Sequence, residues 1–265
     1  MLHPPAEFSE YESPVRDDGE DVIDGEGDAA QVLALGPVPT VLTPQVVPMK
    51  YFLLFKVNGT LIHFSNPKIL GGERVKRGES RARPGLEKFL GWVLDAGMEI
   101  CFWSCVMEHN LAPRIDFIRG KVPRLPENCL QFGQSTCLVS AYRDKNAPDK
   151  PFFLKSLEHL FQLRPDFVKR GATVENTLLI DDSPYKNALN NPFNAFHPPT
   201  CTMYSETKLK KGRKPFLLQT LMPLLYKLYC SGQSVPEFMQ AHQTFGERRV
   251  FPDDAWYPHL TELAN

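Results

Sequence analysis

The spacing of apolar residues along the chain changes character at Tyr51. The run Tyr51-Phe52-Leu53-Leu54-Phe55 shows no alternation and stops at Asn58-Gly59, which predicts a short strand buried on both faces of a parallel sheet. Met98-Glu99-Ile100-Cys101-Phe102-Trp103 and Asn176-Thr177-Leu178-Leu179-Ile180 read the same way. Between these runs the period lengthens. Gly85 to Leu94, opened by Pro84, and Leu154 to Leu163, with Leu154, Leu157, Leu160 and Phe161 on one side, predict helices, as does Pro215 to Tyr229 with Phe216, Leu217, Leu221, Leu224, Leu225 and Leu228. Strands alternating with helices define an α/β class with helices on both faces of the sheet.

Residues 1–48 break this texture. They hold seven prolines and ten Asp or Glu against one Arg, too little apolar surface to offset the entropy of ordering. They are expected to form a disordered acidic arm, with residues 49–262 forming the domain. The remainder is correspondingly basic, although the whole chain of 265 residues carries a net charge of only -1. Neither nucleic acid nor a membrane is therefore an expected direct partner, and no window approaches the length of a membrane span. The six cysteines show no C-x-x-C pair and no zinc spacing, so they read as reduced thiols of a protein in the nucleus or cytoplasm.

In an open parallel sheet, chemistry collects beyond the carboxyl ends of the strands. Here that rule selects Lys56 to Thr60, Ser104, and Asp181-Asp182-Ser183-Pro184, with Lys155 on the helix preceding the third strand. Together with Arg83-Pro84-Gly85-Leu86, Phe152-Phe153-Leu154-Lys155 and Asn191-Pro192, these residues resemble the haloacid dehalogenase superfamily in its small C-terminal-domain phosphatase branch, also called NLI-interacting-factor-like. The resemblance spans roughly residues 49 to 250. It implies a Rossmann-like parallel sheet with a small insertion after the second motif, at residues 105–150, where Pro123, Pro126, Gly133 and Pro148 predict a loop-rich surface able to receive a peptide.

Active members of that family carry D-x-D-G-T after the first strand. The resemblance implies a first Asp that attacks phosphorus, a second that shuttles the proton, and Mg²⁺ shared with an acidic residue of the last motif. In this chain the two positions are Lys56 and Asn58. An ammonium is no nucleophile and an amide does not titrate, so no intact catalytic residue is expected. Mg²⁺ is not expected either, because Lys56 stands where a carboxylate ligand belongs; Asp181 and Asp182 are the only candidate metal ligands left. Two lysines against two carboxylates balance without metal, which predicts an ion pair between Lys56 and Asp181 or Asp182.

What remains are groups that hold phosphate rather than cleave it: Gly59, Thr60, Ser104 and Lys155. The resulting expectation is a pseudophosphatase that binds a protein or a phosphoserine peptide without a cofactor. The alternatives are an active Mg²⁺-dependent serine/threonine phosphatase with a divergent nucleophile motif, and a structural subunit of a complex. Lys68, Arg74, Lys76, Arg77, Arg81 and Arg83 give the mouth a basic flank, and Lys208 to Lys214 resembles a nuclear-localisation stretch. No histidine is assigned a catalytic or metal role, and Asn187, Asn190, Asn191 and Asn194 are expected to serve turns near the pocket.

Overall fold

In the computed structural model, residues 49–64, 69–70, 73–74, 80–144, 147–202, 215–242, 249–255 and 257–264 are described. The acidic arm and the Lys208 to Lys214 stretch lie outside them, as do Lys68, Lys76 and Arg77 of the basic flank. In chain order the strands are β1 (Phe52–Phe55), β2 (Ile62–Phe64), β3 (Ile69–Leu70), β4 (Glu73–Arg74), β5 (Ser80–Ala82), β6 (Glu99–Trp103), β7 (Gln131–Phe132), β8 (Leu138–Asp144), β9 (Ala147–Leu154), β10 (Thr177–Ile180) and β11 (Ala195–Phe196). The helices are α1 (Leu86–Asp95), α2 (Glu108–Lys121), α3 (Leu157–Leu163), α4 (Pro165–Lys169), α5 (Met222–Ser231), α6 (Val235–Ala241) and α7 (Tyr257–Thr261).

The main sheet has the order β11-β10-β1-β6-β7, and every neighbouring pair in it is parallel. All three predicted strands are in it, with β1 at the centre. Side chains alternate across the pleat, so Leu53 and Phe55 pack into one core with α1, α2, α5 and α6, while Phe52 and Leu54 pack into a second core with Leu157, Leu160 and Phe167. Both faces are dry, which explains why β1 reads as an unbroken apolar run. Each large side chain buried this way stabilises by roughly 1.5–3 kcal/mol. Phe52 and Phe167 add an edge-to-face ring contact at 5.3 Å.

Two expectations are corrected here. Residues 105–150 are more regular than expected: their described part includes the 14-residue helix α2, strand β7 and the start of the β8–β9 hairpin, while Pro123, Pro126 and Gly133 lie in the connecting segments. Buried Leu111, Ile115 and Ile118 lie at helical spacing, but Pro113 and the polar residues between them mask the pattern. Likewise, the helix expected from Leu154 begins at Leu157, because Leu154 ends β9 and Ser156 caps α3 by accepting from the His159 N–H at 3.2 Å. Lys155 therefore sits in the turn between β9 and α3.

The predicted helix at residues 215–229 is present, but it enters through a turn of π-helix at Leu217–Leu221 before α5. Pro223 follows, and it cannot donate to the preceding turn. The chain end folds back on the hairpin: the Ala141 N–H donates to the Glu262 carbonyl at 2.7 Å and the Ala264 N–H to that of Val139 at 2.9 Å. Among the described residues no helix is long and apolar enough to cross a membrane.

Candidate functional site

The sheet itself sets the position of Lys56. Its N–H donates to the Ile180 carbonyl at 2.9 Å, extending the β1–β10 ladder by one residue, so the side chain leaves directly over the carboxyl ends of both strands. The ammonium lies 3.0 Å from Asp182 Oδ1 and 3.5 Å from Asp181 Oδ1, and donates to Ser183 Oγ at 2.8 Å. Only 16% of the Lys56 side chain is exposed, and Asp181 is fully buried, so solvent screens these pairs little.

Behind this pair stands a second one. Lys155 Nζ donates to Asp181 Oδ2 at 2.6 Å and to the Trp103 carbonyl at 2.8 Å, with neither side chain of the pair exposed. Lys155 is held by Asn190, whose side chain donates to the Lys155 carbonyl at 2.5 Å and accepts from the Leu157 N–H at 2.7 Å. Burial alone would raise the Asp181 carboxyl, but the charges of Lys155, Lys56 and Lys186 hold it well below the usual carboxylate range.

The loop after β1 turns on Gly59, at φ +84°, where a Cβ would fall 2.5 Å from Asp182 Oδ2. No side chain fits between the loop and that carboxylate. The Gly59 N–H donates to the Ile62 carbonyl at 2.8 Å, and Thr60 Oγ1 both donates to Asp182 Oδ1 at 2.9 Å and accepts from the Asp182 N–H at 3.3 Å. Thr200 Oγ1 donates to Asp182 Oδ2 at 2.9 Å. Asn58 turns its amide oxygen to the Phe64 N–H at 2.8 Å and so clips the loop closed. Arg83 is buried rather than part of an exposed flank, donating to the carbonyls of Thr60 at 3.0 Å and Pro199 at 2.8 Å. Ser104 is buried at the end of β6, its N–H donating to the Phe132 carbonyl at 2.9 Å.

The structure thus gathers Lys56, Thr60, Lys155, Asp181 and Asp182 into one hydrogen-bonded cluster. All four carboxylate oxygens accept from protein donors, Asp181 Oδ1 also taking the Ser183 N–H at 2.8 Å. An ammonium sits between the two carboxylates, where a bridging cation would need their oxygens, so this donor set does not fit Mg²⁺.

Three participants escaped the sequence reading, the first being Thr200, the donor to Asp182 Oδ2. Lys186, buried in the turn Pro184–Asn187, adds a third positive charge near Asp181. Its place five residues beyond Asp181 was the available signal. His197, also buried, has Nδ1 2.7 Å from the Asp181 carbonyl, and burial lowers its pKa from 6.5 to about 4. It is neutral at physiological pH, and nothing in its local sequence announces the contact.

A parallel sheet with a lysine and an acidic pair at its carboxyl edge is the arrangement that the family resemblance implies. The NLI interacting factor-like phosphatase model matches residues 51–231, and the chain belongs to that family, of haloacid dehalogenase fold and C-terminal-domain phosphatase type. Among solved structures, the fission yeast RNA polymerase II CTD phosphatase Fcp1 bound to beryllium fluoride is similar at 13% identity and TM-score 0.36, covering 72% of this chain and 55% of that one. A structure described as Fcp1, an essential RNA polymerase II CTD phosphatase, is similar at 14% identity and TM-score 0.35, covering 79% and 59%. The chain therefore spans little more than half the length of either. A comparison with curated proteins returned no match.

Proposed function

We propose that this chain is a pseudophosphatase, a phosphatase-family domain that has lost hydrolysis and serves as a protein-binding module in the nucleus or cytoplasm. The observation that carries the reading is the Lys56 ammonium between Asp181 and Asp182. A paired ammonium has no lone pair for phosphorus, and Asn58 cannot exchange a proton and is committed to the Phe64 N–H. General acid–base help alone is typically worth 10²–10⁴ in rate, and the covalent route goes with the nucleophile. Asp181 and Asp182 are poor substitutes, because each is ion-paired and hydrogen-bonded at both oxygens.

The same geometry argues for contact with unmodified protein rather than phosphate. Thr60 and Lys155, the donors that would hold a phosphoryl group, are engaged by Asp182 and Asp181. The test is Mg²⁺-dependent hydrolysis of an aryl phosphate by the full chain beside the double variant Lys56→Asp, Asn58→Asp. Turnover by the variant alone supports a scaffold whose chemistry has been removed; comparable turnover by the native chain overturns the reading. Tighter binding of a phosphoserine peptide than of its unmodified form would replace the protein-binding assignment by a phosphate reader.

A further inference from the structure

Beside this cluster, two thiols face each other in a way the proposed function does not use. Cys105 follows Ser104 at the end of β6, and Cys137 precedes β8, with Sγ atoms 3.6 Å apart. The backbone holds them there. The Ser104 N–H donates to the Phe132 carbonyl and the Gln134 N–H to the Val106 carbonyl, both at 2.9 Å, so residues 104–106 lie against residues 132–134. The Glu108 carboxylate accepts from the Ser135 N–H at 3.2 Å and from the Ser135 hydroxyl, and the Cys137 N–H closes the turn onto the Gln134 carbonyl at 3.0 Å.

A disulfide needs its sulfurs about 2.05 Å apart, so closure asks for a movement of only about 1.5 Å. By residue exposure Cys105 lies nearer solvent than buried Cys137, the order expected of an attacking thiol with a second thiol behind it. We propose that Cys105 and Cys137 form a peroxide-sensitive dithiol, in which Cys105 is oxidised first and Cys137 resolves it to a disulfide.

The chemistry balances with hydrogen peroxide as oxidant. The Cys105 thiolate attacks one peroxide oxygen, the O–O bond breaks, and the leaving hydroxide takes up a proton to become water. The Cys137 sulfur then attacks the sulfenic sulfur as the S–O bond breaks, and the departing oxygen leaves as a second water carrying the Cys137 proton. The electrostatics favour this order. A hydrogen bond from Cys137 is the main cause that lowers the Cys105 thiol below its ordinary value, against burial, with Lys186 and Lys155 assisting and Asp181 opposing. Cys137 is shifted upward by the same hydrogen bond and by burial.

The experiment exposes the full, reduced chain to hydrogen peroxide at neutral pH and locates the products by mass spectrometry with fragment-ion assignment. The expected result is loss of two hydrogens in a Cys105–Cys137 cross-link, reversed by a thiol reductant and formed roughly tenfold faster than exposed Cys230 is oxidised. Cys137→Ser should stop at a Cys105 sulfenic acid that dimedone traps, Cys105→Ser should give neither product, and Cys230→Ser should leave the cross-link unchanged. Oxidation of Cys230 with no Cys105–Cys137 cross-link, or a Cys105→Ser chain in which Cys137 still gives the dimedone adduct, would overturn the proposal. Because the native chain is itself a test, the answer does not depend on any variant folding.

Discussion

Lys155 and Asp181 meet at 2.6 Å with no part of either side chain exposed. Removing one partner of such a pair leaves an uncompensated buried charge, so Lys155→Met is expected to destabilise the fold by about 3–5 kcal/mol in urea unfolding. Adding Asp181→Asn should recover part of that loss. A single-variant cost below about 1 kcal/mol would mean that the pair is not buried as described.

Lys56 acts as the cation of the acidic pocket. Millimolar Mg²⁺ should leave the melting temperature of the native chain unchanged, whereas Lys56→Asp, which removes the ammonium and adds a carboxylate, should be stabilised by Mg²⁺ in a concentration-dependent way. Differential scanning fluorimetry reads both. Mg²⁺ stabilisation of the native chain would show that the ammonium does not keep the metal out.

His197 predicts an acid-sensitive window. Its folded pKa of about 4 lies below the ordinary 6.5, so between these values the unfolded chain binds the proton and the folded chain does not. Stability should therefore fall as pH drops from about 6.5 to about 4, by about 3 kcal/mol in all from this group. Asp181 acts in a lower window: its depressed carboxyl contributes stability above the ordinary carboxylate range, which is lost on further acidification. His197→Asn should flatten the upper part of the profile alone, as chemical denaturation at a series of pH values would show.

Gly59→Ala combines a left-handed backbone with a Cβ 2.5 Å from the Asp182 carboxylate. The backbone strain costs about 1–3 kcal/mol, and displacing Asp182 from Thr60, Thr200 and Lys56 should add to it. A control at Gly171, also at positive φ but with nothing within 4 Å of an added Cβ, should show the backbone cost alone. Equal losses at the two positions would remove any special role for the Asp182 contact.

How much of this was legible in the sequence follows the physics of each element. β1, β6 and β10 announced themselves because a central parallel strand must be apolar on both faces. The cluster at their carboxyl ends followed, since strand ends and family motifs coincide at Lys56, Ser104 and Asp181. Helix α2 was hidden because Arg114 and Pro113 interrupt its buried stripe. The start of α3 was misplaced because Leu154 fits a helical spacing that tertiary pairing with Leu138 overrides. His197 and the facing thiols depend on contacts between residues far apart in sequence, which no local pattern encodes.

The central strand also sets an order of events during synthesis. In the finished sheet Phe52 lies beside Thr177 and Leu53 beside Leu178. At ribosomal rates of about 5–20 residues per second, β1 waits on the order of ten seconds for β10 to be made. Until then one edge of a very apolar strand is unpaired and Lys56 has no carboxylates beside it. Over that interval the open edge of residues 51–55 is where the nascent chain can pair with another strand, before Asp181 and Asp182 arrive.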